Sequence, residues 1–277
     1  VLAAVSGGAD SLVLLYGLAR LAPSLGLRLE VATVDHRLHA DSERWADGVE
    51  RSATGLGLRC HRVALSLAAS GSGVEAAARE ARYAALERVR QAAGLDVIAT
   101  AHTASDQAET LLMRLVRGTA LGGAAAILEA RGDRVVRPLL FATRDDVEAY
   151  VAALALRPVR DPMNEDASLL RTRIRQSALP ALSSAAGFDV QPALARFARL
   201  AQEDDAFLSR EAEVAFRRCA FADGSLDRSA VAALVPPIRR RVVARLMEAA
   251  GVPVDAAAVD EALQAIARGR TATLPKD

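Results

Sequence analysis

Residues 1–15, "VLAAVSGGADSLVLL", decide the fold. Five apolar residues, the signature of a buried strand, run into Ser6, Gly7, Gly8, Ala9, Asp10 and Ser11 before apolar residues resume. The pattern predicts a strand, a tight glycine turn, and a helix from Ser11 to Ala22 stopping near Pro23. Glycines after a strand let the chain turn through positive φ and come close to a ligand. The helix start then offers unpaired N–H groups and the positive end of its dipole. With the hydroxyls of Ser6 and Ser11, these features favour a polyanion. GxxxxGK(S/T) is absent, so the loop is not a Walker A loop, and it is not GxGxxG either. Asp10 is the odd residue. A carboxylate repels phosphate unless a divalent cation lies between them, or it simply complements the helix dipole.

Working outward, "LEVATV" at 29–34, "RCHRVAL" at 59–65 and "DVIATA" at 96–101 read as further strands. Helices are expected over 41–55, 74–94 and 105–117. Strand–helix alternation at this spacing predicts an α/β domain with a parallel sheet, right-handed crossovers and helices on both faces. "RDDVEAYVAALAL" continues as helix, "RPVRDPMNEDASLLRTRIRQSALP" reads as loop and then helix, and "ALSSAAGFDVQP" as a linker. Helices alone are expected over 192–218, 228–234, 236–250 and 255–268. The boundary is drawn near 185–190: residues 1–185 form the α/β domain, and 190–277 a small all-α domain.

Ligands of open parallel sheets bind at the carboxyl ends of the strands, where the strand order reverses. The first and fourth strands are the natural neighbours there. "ATAHTASDQAETLLMRLVRG" would then place His102, Asp106 and Glu109 beside the glycine loop. On the helix after His102, Asp106, Glu109, Thr110, Arg114 and Arg117 share one side; Ala108, Leu111, Leu112 and Leu115 share the other. Asp35 and His36 end the second strand on the same rim. His36, His39 and His102 match no standard zinc spacing.

The chain has 277 residues, 52% of them hydrophobic, enough to bury a core. Its net charge of +1 does not mark the whole chain as a nucleic-acid binder, though a local basic patch remains compatible with it. Nothing in it reads as membrane-spanning. Cys60 and Cys219 form no CxxC pair, so a reducing, cytoplasmic setting is expected. The chain begins without Met or a basic n-region, and we read it as starting inside a longer native chain rather than at a signal peptide.

"SGGADS", "VDHRLH", "EAAAREARY", "AHTASDQAETLLMRLVRGTALGG", "RPLL" and "RDPMNEDASLLRTRIRQSALPAL" occur in the order and spacing of one family. Together they resemble the tRNA(Ile)-lysidine synthetases, PP-loop enzymes of the N-type ATP pyrophosphatase superfamily. The resemblance is strong over residues 1–182. It fades through the helical segment, where "LVPPIRRRVV" echoes the family pattern. It implies a PP-loop domain followed by a helical tRNA-binding domain, with ATP and Mg²⁺ as cofactors. The implied reaction adenylates the C2 oxygen of the wobble cytidine in the CAU-anticodon isoleucine tRNA. Free L-lysine then displaces AMP. The resemblance is compatible with a homodimer.

Carried over residue by residue, it implies ATP binding by Ser6, Gly7, Gly8, Ala9, Asp10, Ser11, Asp35 and His36, with Mg²⁺ near Asp10. It assigns catalysis to Asp10, Arg82, His102, Asp106 and Glu109, the last two handling metal, lysine ammonium or protons. tRNA or substrate contacts fall to Arg114, Arg117, Asp161, Asn164, Arg171, Arg173 and Arg175, and to Arg239, Arg240 and Arg241 in the helical segment. The sequence departs from the family pattern at His39, Ala120, Ala124, Met163 and Thr172, none of them in the glycine loop.

Overall fold

A computed structural model describes residues 1–35, 41–65, 74–159, 168–221 and 225–268. Packing divides the chain into two units, Val1–Arg199 and Leu200–Asp277.

The first unit is an α/β domain. In chain order it contains β1 (Leu2–Ala4), α1 (Ala9–Leu25), β2 (Glu30–Asp35), α2 (Ser42–Gly55), β3 (Cys60–Ala64), α3 (Val74–Ala92), β4 (Ile98–Ala99), α4 (Ala104–Val116), α5 (Leu121–Ala124), β5 (Val135–Val136) and α6 (Arg144–Ala153). Then come α7 (Leu170–Arg173), a π-helical turn (Ile174–Ala178), α8 (Leu179–Ala186) and the start of α9 (Gln191–Cys219). The five strands pair in parallel in the order β3-β2-β1-β4-β5. The order reverses between β1 and β4, the neighbours expected from the sequence.

The period of two along the strands builds two cores. Ala3, Val5 and Val31 pack on one face with Leu12 and Leu15 of α1 and Val49 and Ala53 of α2. Leu2, Ala32 and Ile98 pack on the other with Leu86 of α3, flanked by Tyr83 and Val89. The sheet is thus buried on both faces, as continuous apolar strands require.

Three local features depart from the sequence reading. The first helix starts at Ala9 and runs through Pro23 to Leu25, because a proline in the last turn forfeits little and the stop is the left-handed Gly26. β5 was not anticipated, since two residues carry no periodicity. The stretch read as a linker is helical as far as Ala186 and ends at left-handed Gly187. The division by packing falls at 199/200, within α9, because Val190 and Leu194 pack with Ala108, Ile174 and Leu179.

The second unit holds the rest of α9 with α10 (Arg228–Ala233), α11 (Pro236–Ala249) and α12 (Ala256–Ala267). Ala212, Ala215 and Cys219 of α9 form its core with Val231, Ile238, Val242, Val243, Met247 and Val259. No helix among the described residues is long and apolar enough to cross a membrane.

Candidate functional site

Ser11 organises the glycine loop from inside. Its side chain is buried, its Oγ accepts N–H bonds from Gly7 at 3.0 Å and Ser6 at 3.2 Å, and its hydroxyl donates to the Gly8 carbonyl at 2.9 Å. Gly7 N–H therefore points inward rather than toward a ligand. The N–H groups left for an anion are those of the first turn of α1, from Ala9 onward, which lack intrahelical acceptors.

Gly7 sits at φ 91°, and its carbonyl accepts the Val159 N–H at 2.9 Å. A Cβ there would meet Val159 Cγ2 at 3.4 Å and Val49 Cγ2 at 3.5 Å. Gly7→Ala is therefore expected to cost about 1–3 kcal/mol through backbone strain alone. A lowered urea midpoint at unchanged m would report it; an unchanged midpoint would refute the strain.

Asp10 lies on the rim in the first turn of α1. Desolvation by the crowded cleft pushes its carboxyl up to about 6, reinforced by the charges of Asp106 and Glu109 and opposed by Arg175 and Arg144. The side chain reaches solvent, so the crowding is that of an open rim, not of a sealed pocket.

His102 lies three residues beyond the end of β4, with Nδ1 3.0 Å from Thr100 Oγ1. Burial is the main cause that lowers it to about 3, and Arg137, Arg79, Arg171 and Arg82 push the same way. His102 is thus neutral at physiological pH. An imidazole lowered by folding binds fewer protons folded than unfolded. It therefore withdraws stability as pH falls below the ordinary value near 6.5, until both states are protonated below about 3. His102→Gln is expected to flatten the stability loss between pH 7 and pH 5. Equal losses in wild type and variant would place the acid sensitivity elsewhere.

Asp106 and Glu109, one turn apart on α4, meet Arg171 and Arg175, one turn apart on α7 and the π turn. Arg171 Nη2 donates to Asp106 Oδ1 at 2.6 Å, and its Nε to Glu109 Oε2 at 2.8 Å. Arg175 donates to Glu109 through Nε at 2.5 Å and Nη2 at 3.0 Å. The other oxygen of Asp106 caps α4 by accepting the Thr103 N–H at 2.9 Å. This corrects the amphipathic reading of α4: Glu109 is only 1% exposed, whereas Leu115, read as core-facing, is 45% exposed. The arginines arriving from α7 make burial of the carboxylate tolerable.

The other expected residues divide. Asp35 is buried at the end of β2, its Oδ2 3.9 Å from Arg62 Nη2. Arg82 is exposed on α3, near enough to act on His102. Arg114 donates to the Gly123 carbonyl at 2.9 Å, Arg117 ends α4, and Arg173 donates to the Ser168 carbonyl at 2.6 Å. His36, Asp161 and Asn164 lie outside the described residues. In the helical unit Arg239 donates to the Ala232 carbonyl, Arg240 pairs with Asp260, and Arg241 with Asp205. The basic stripe of α11 is thus tied into its own unit.

Two residues near the rim were missed. Buried Gln107 clamps Ile127 through both amide atoms, at 3.0 and 2.7 Å. Buried Arg137 donates to the Leu128 carbonyl and lies close enough to Tyr83 to feel its charge; the Tyr83 ring is faced by Arg79 and Arg131. Their only sequence signal was membership of "SDQAET" and "RPLL".

Among the described residues no three His, Cys, Asp or Glu side chains converge on a metal position. Asp10 alone would supply one carboxylate ligand. That suits Mg²⁺, which commonly takes one or two carboxylates and completes its shell with substrate phosphates and water.

Residues 1–182 match a family model described as a PP-loop domain. The chain is 39% identical to the tRNA(Ile)-lysidine synthase of Thermobifida fusca over 257 residues, covering 92% of this chain and 79% of that protein. The enzyme of that name from Salinispora tropica is 41% identical over 247 residues, covering 88% and 74%. Among solved structures, the U34-tRNA thiolase NcsA from Methanococcus maripaludis superposes with a TM-score of 0.60 at 18% identity, covering 73% of this chain and 71% of that one. At that identity the likeness is one of fold.

Proposed function

The chain belongs to the tRNA(Ile)-lysidine synthase family, and from that premise we propose that its rim adenylates the C2 oxygen of the wobble cytidine in the CAU-anticodon isoleucine tRNA and joins free L-lysine to that carbon. The observation that carries the assignment is the gathering of Asp10, His102, Asp106 and Glu109 at the carboxyl ends of β1 and β4. The chain is an ATP-using ligase that modifies tRNA(Ile).

Each residue has a task in this reading. The first-turn N–H groups and dipole of α1 hold the phosphates and stabilise the departing pyrophosphate. Asp10 is the residue that would hold Mg²⁺, whose charge neutralises the leaving group when bound. Arg82 adds a cation at the same rim. His102, being neutral, orients substrate oxygens without adding charge. The amine of lysine attacks only after losing a proton. Asp10, Asp106 and Glu109 are the carboxylates of the rim and the proposed partners of the lysine ammonium. Arg114, Arg117 and Arg173 lie on exposed or half-exposed surface of the same unit and are proposed tRNA contacts. Arg239, Arg240 and Arg241 stand as proposed contacts in the helical unit, each through the N–H groups its internal tie leaves over. Family resemblance is the support for a homodimer, and the two unpaired cysteines without a CxxC pattern are the support for a reducing, cytoplasmic setting.

A thiolase reading is less well supported. Cys219 belongs to the apolar core of the second unit, and burial pushes the Cys60 thiol up to about 11. Neither is a ready sulfur carrier. The test supplies ATP, radiolabelled lysine and the CAU-anticodon isoleucine tRNA. Lysine incorporation with matching AMP and pyrophosphate release is expected. Turnover on another tRNA without lysine incorporation would overturn the reading.

A further inference from the structure

Phe141 is 80% exposed, the most exposed large hydrophobic side chain of the described residues. A lone surface phenylalanine ordinarily needs no explanation; this one is held out by its neighbours. Leu140 and Ala142 on either side are buried. The backbone around it is pinned: Leu140 N–H donates to the Arg137 carbonyl at 3.2 Å, and Ala142 N–H to the Leu139 carbonyl at 2.9 Å. The Ala142 carbonyl accepts the Ala104 N–H at 2.9 Å, fixing this turn to the first residue of α4, two residues beyond His102. On its other side Thr143 caps α6 through a reciprocal box with Asp146. Arg144 follows at once, and α6 packs on α1, so that Arg144 acts on the Asp10 carboxyl. Phe141 therefore stands on a rigid turn at the mouth of the site.

The strand order says which flank this is. Asp35 ends β2 on one side of β1, and the turn bearing Phe141 follows β5 on the other. If ATP takes the Asp35 flank, the β4–β5 flank is left for the acceptor. An enzyme that modifies a base must unstack it, and unstacked bases are held on aromatic faces.

We propose that Phe141 is a stacking platform for an unpaired base of the anticodon loop, holding the loop while its wobble cytidine enters the site. The inference rests on the reading that the chain modifies a tRNA base. Phe141→Ala and Phe141→Leu are expected to raise KM for tRNA by about 5- to 150-fold, the range of one lost base–aromatic stack. Phe141→Trp should preserve KM, and KM for ATP and the melting temperature should not move in any of the three. Leucine keeps the apolar surface but not the ring, so its grouping with alanine separates stacking from simple contact.

A second readout is independent of turnover. Fluorescence of the Phe141→Trp protein, with the wild-type Trp45 signal subtracted, should be quenched by an isolated anticodon stem-loop RNA. Wild type that incorporates no lysine would defeat the functional reading, and the quenching would still decide the platform. A wild-type KM for tRNA in Phe141→Ala, or no quenching in the Phe141→Trp protein, would overturn the inference itself.

Discussion

Replacing Asp10 by Ala is expected to slow pyrophosphate release by about 1,000-fold, the scale on which removal of a preorganised electrostatic group acts. Fold stability should not suffer. Desolvation and the neighbouring carboxylates raise the Asp10 carboxyl from its ordinary value to about 6. An acid raised in the folded state binds more protons folded than unfolded. Its charge therefore withdraws stability as pH climbs from the ordinary value to about 6, and the loss is complete above that. Removing the group should raise the urea midpoint slightly at pH 7.5 and leave it unchanged near pH 3. Solvent screening keeps the gain small. The opposite directions of rate and stability are the diagnostic: a residue kept at a cost to the fold is kept for chemistry. Undiminished pyrophosphate release in Asp10→Ala would remove Asp10 from the site. A lowered midpoint at pH 7.5 would mean its charge is structural.

The strand–turn–helix unit, the parallel sheet and the adjacency of β1 and β4 were legible because each rests on a local pattern. Apolar runs bounded by Gly7, Gly8 and Pro23 announce themselves in sequence, and the reversal of strand order follows from general rules of α/β connection. The placement of His102 just beyond β4, the strand paired with β1, followed from that topology. Distant pairing was not legible. Nothing in "SDQAET" says that Glu109 is buried, because the guanidiniums that permit it lie more than 60 residues away. Ser11 was read as a ligand donor; that its hydroxyl is engaged within the loop, accepting from Gly7 and Ser6 and donating to Gly8, depends on the turn geometry at Gly7 and was not legible. The arginines of α11 looked free in sequence because Asp205 and Asp260, which hold two of them, belong to other helices.

Glu109→Gln should damage both stability and activity. Glu109 accepts three hydrogen bonds from Arg171 and Arg175 and is almost wholly buried. Breaking a buried ion pair by neutralising one member typically costs about 3–5 kcal/mol. Here both arginines keep over a third of their side-chain surface in solvent, so about 2–3 kcal/mol is expected after screening. Activity should fall further than stability explains. Arg171 bridges Glu109 and Asp106, and the other oxygen of Asp106 caps the helix that follows His102. Loosening that chain shifts the rim, and displacements of about 1 Å cost on the order of 100-fold in rate. The double variant Glu109→Gln, Arg175→Gln separates the two effects. It should recover part of the stability, since the charge left beside the neutral side chain is then that of Arg171, which keeps Asp106 as its partner, yet stay inactive because the carboxylate is gone. If stability does not recover, Glu109 and Arg175 are not coupled as their geometry requires. If activity returns with stability, the cluster serves the fold alone, and ammonium capture belongs to Asp10 and Asp106.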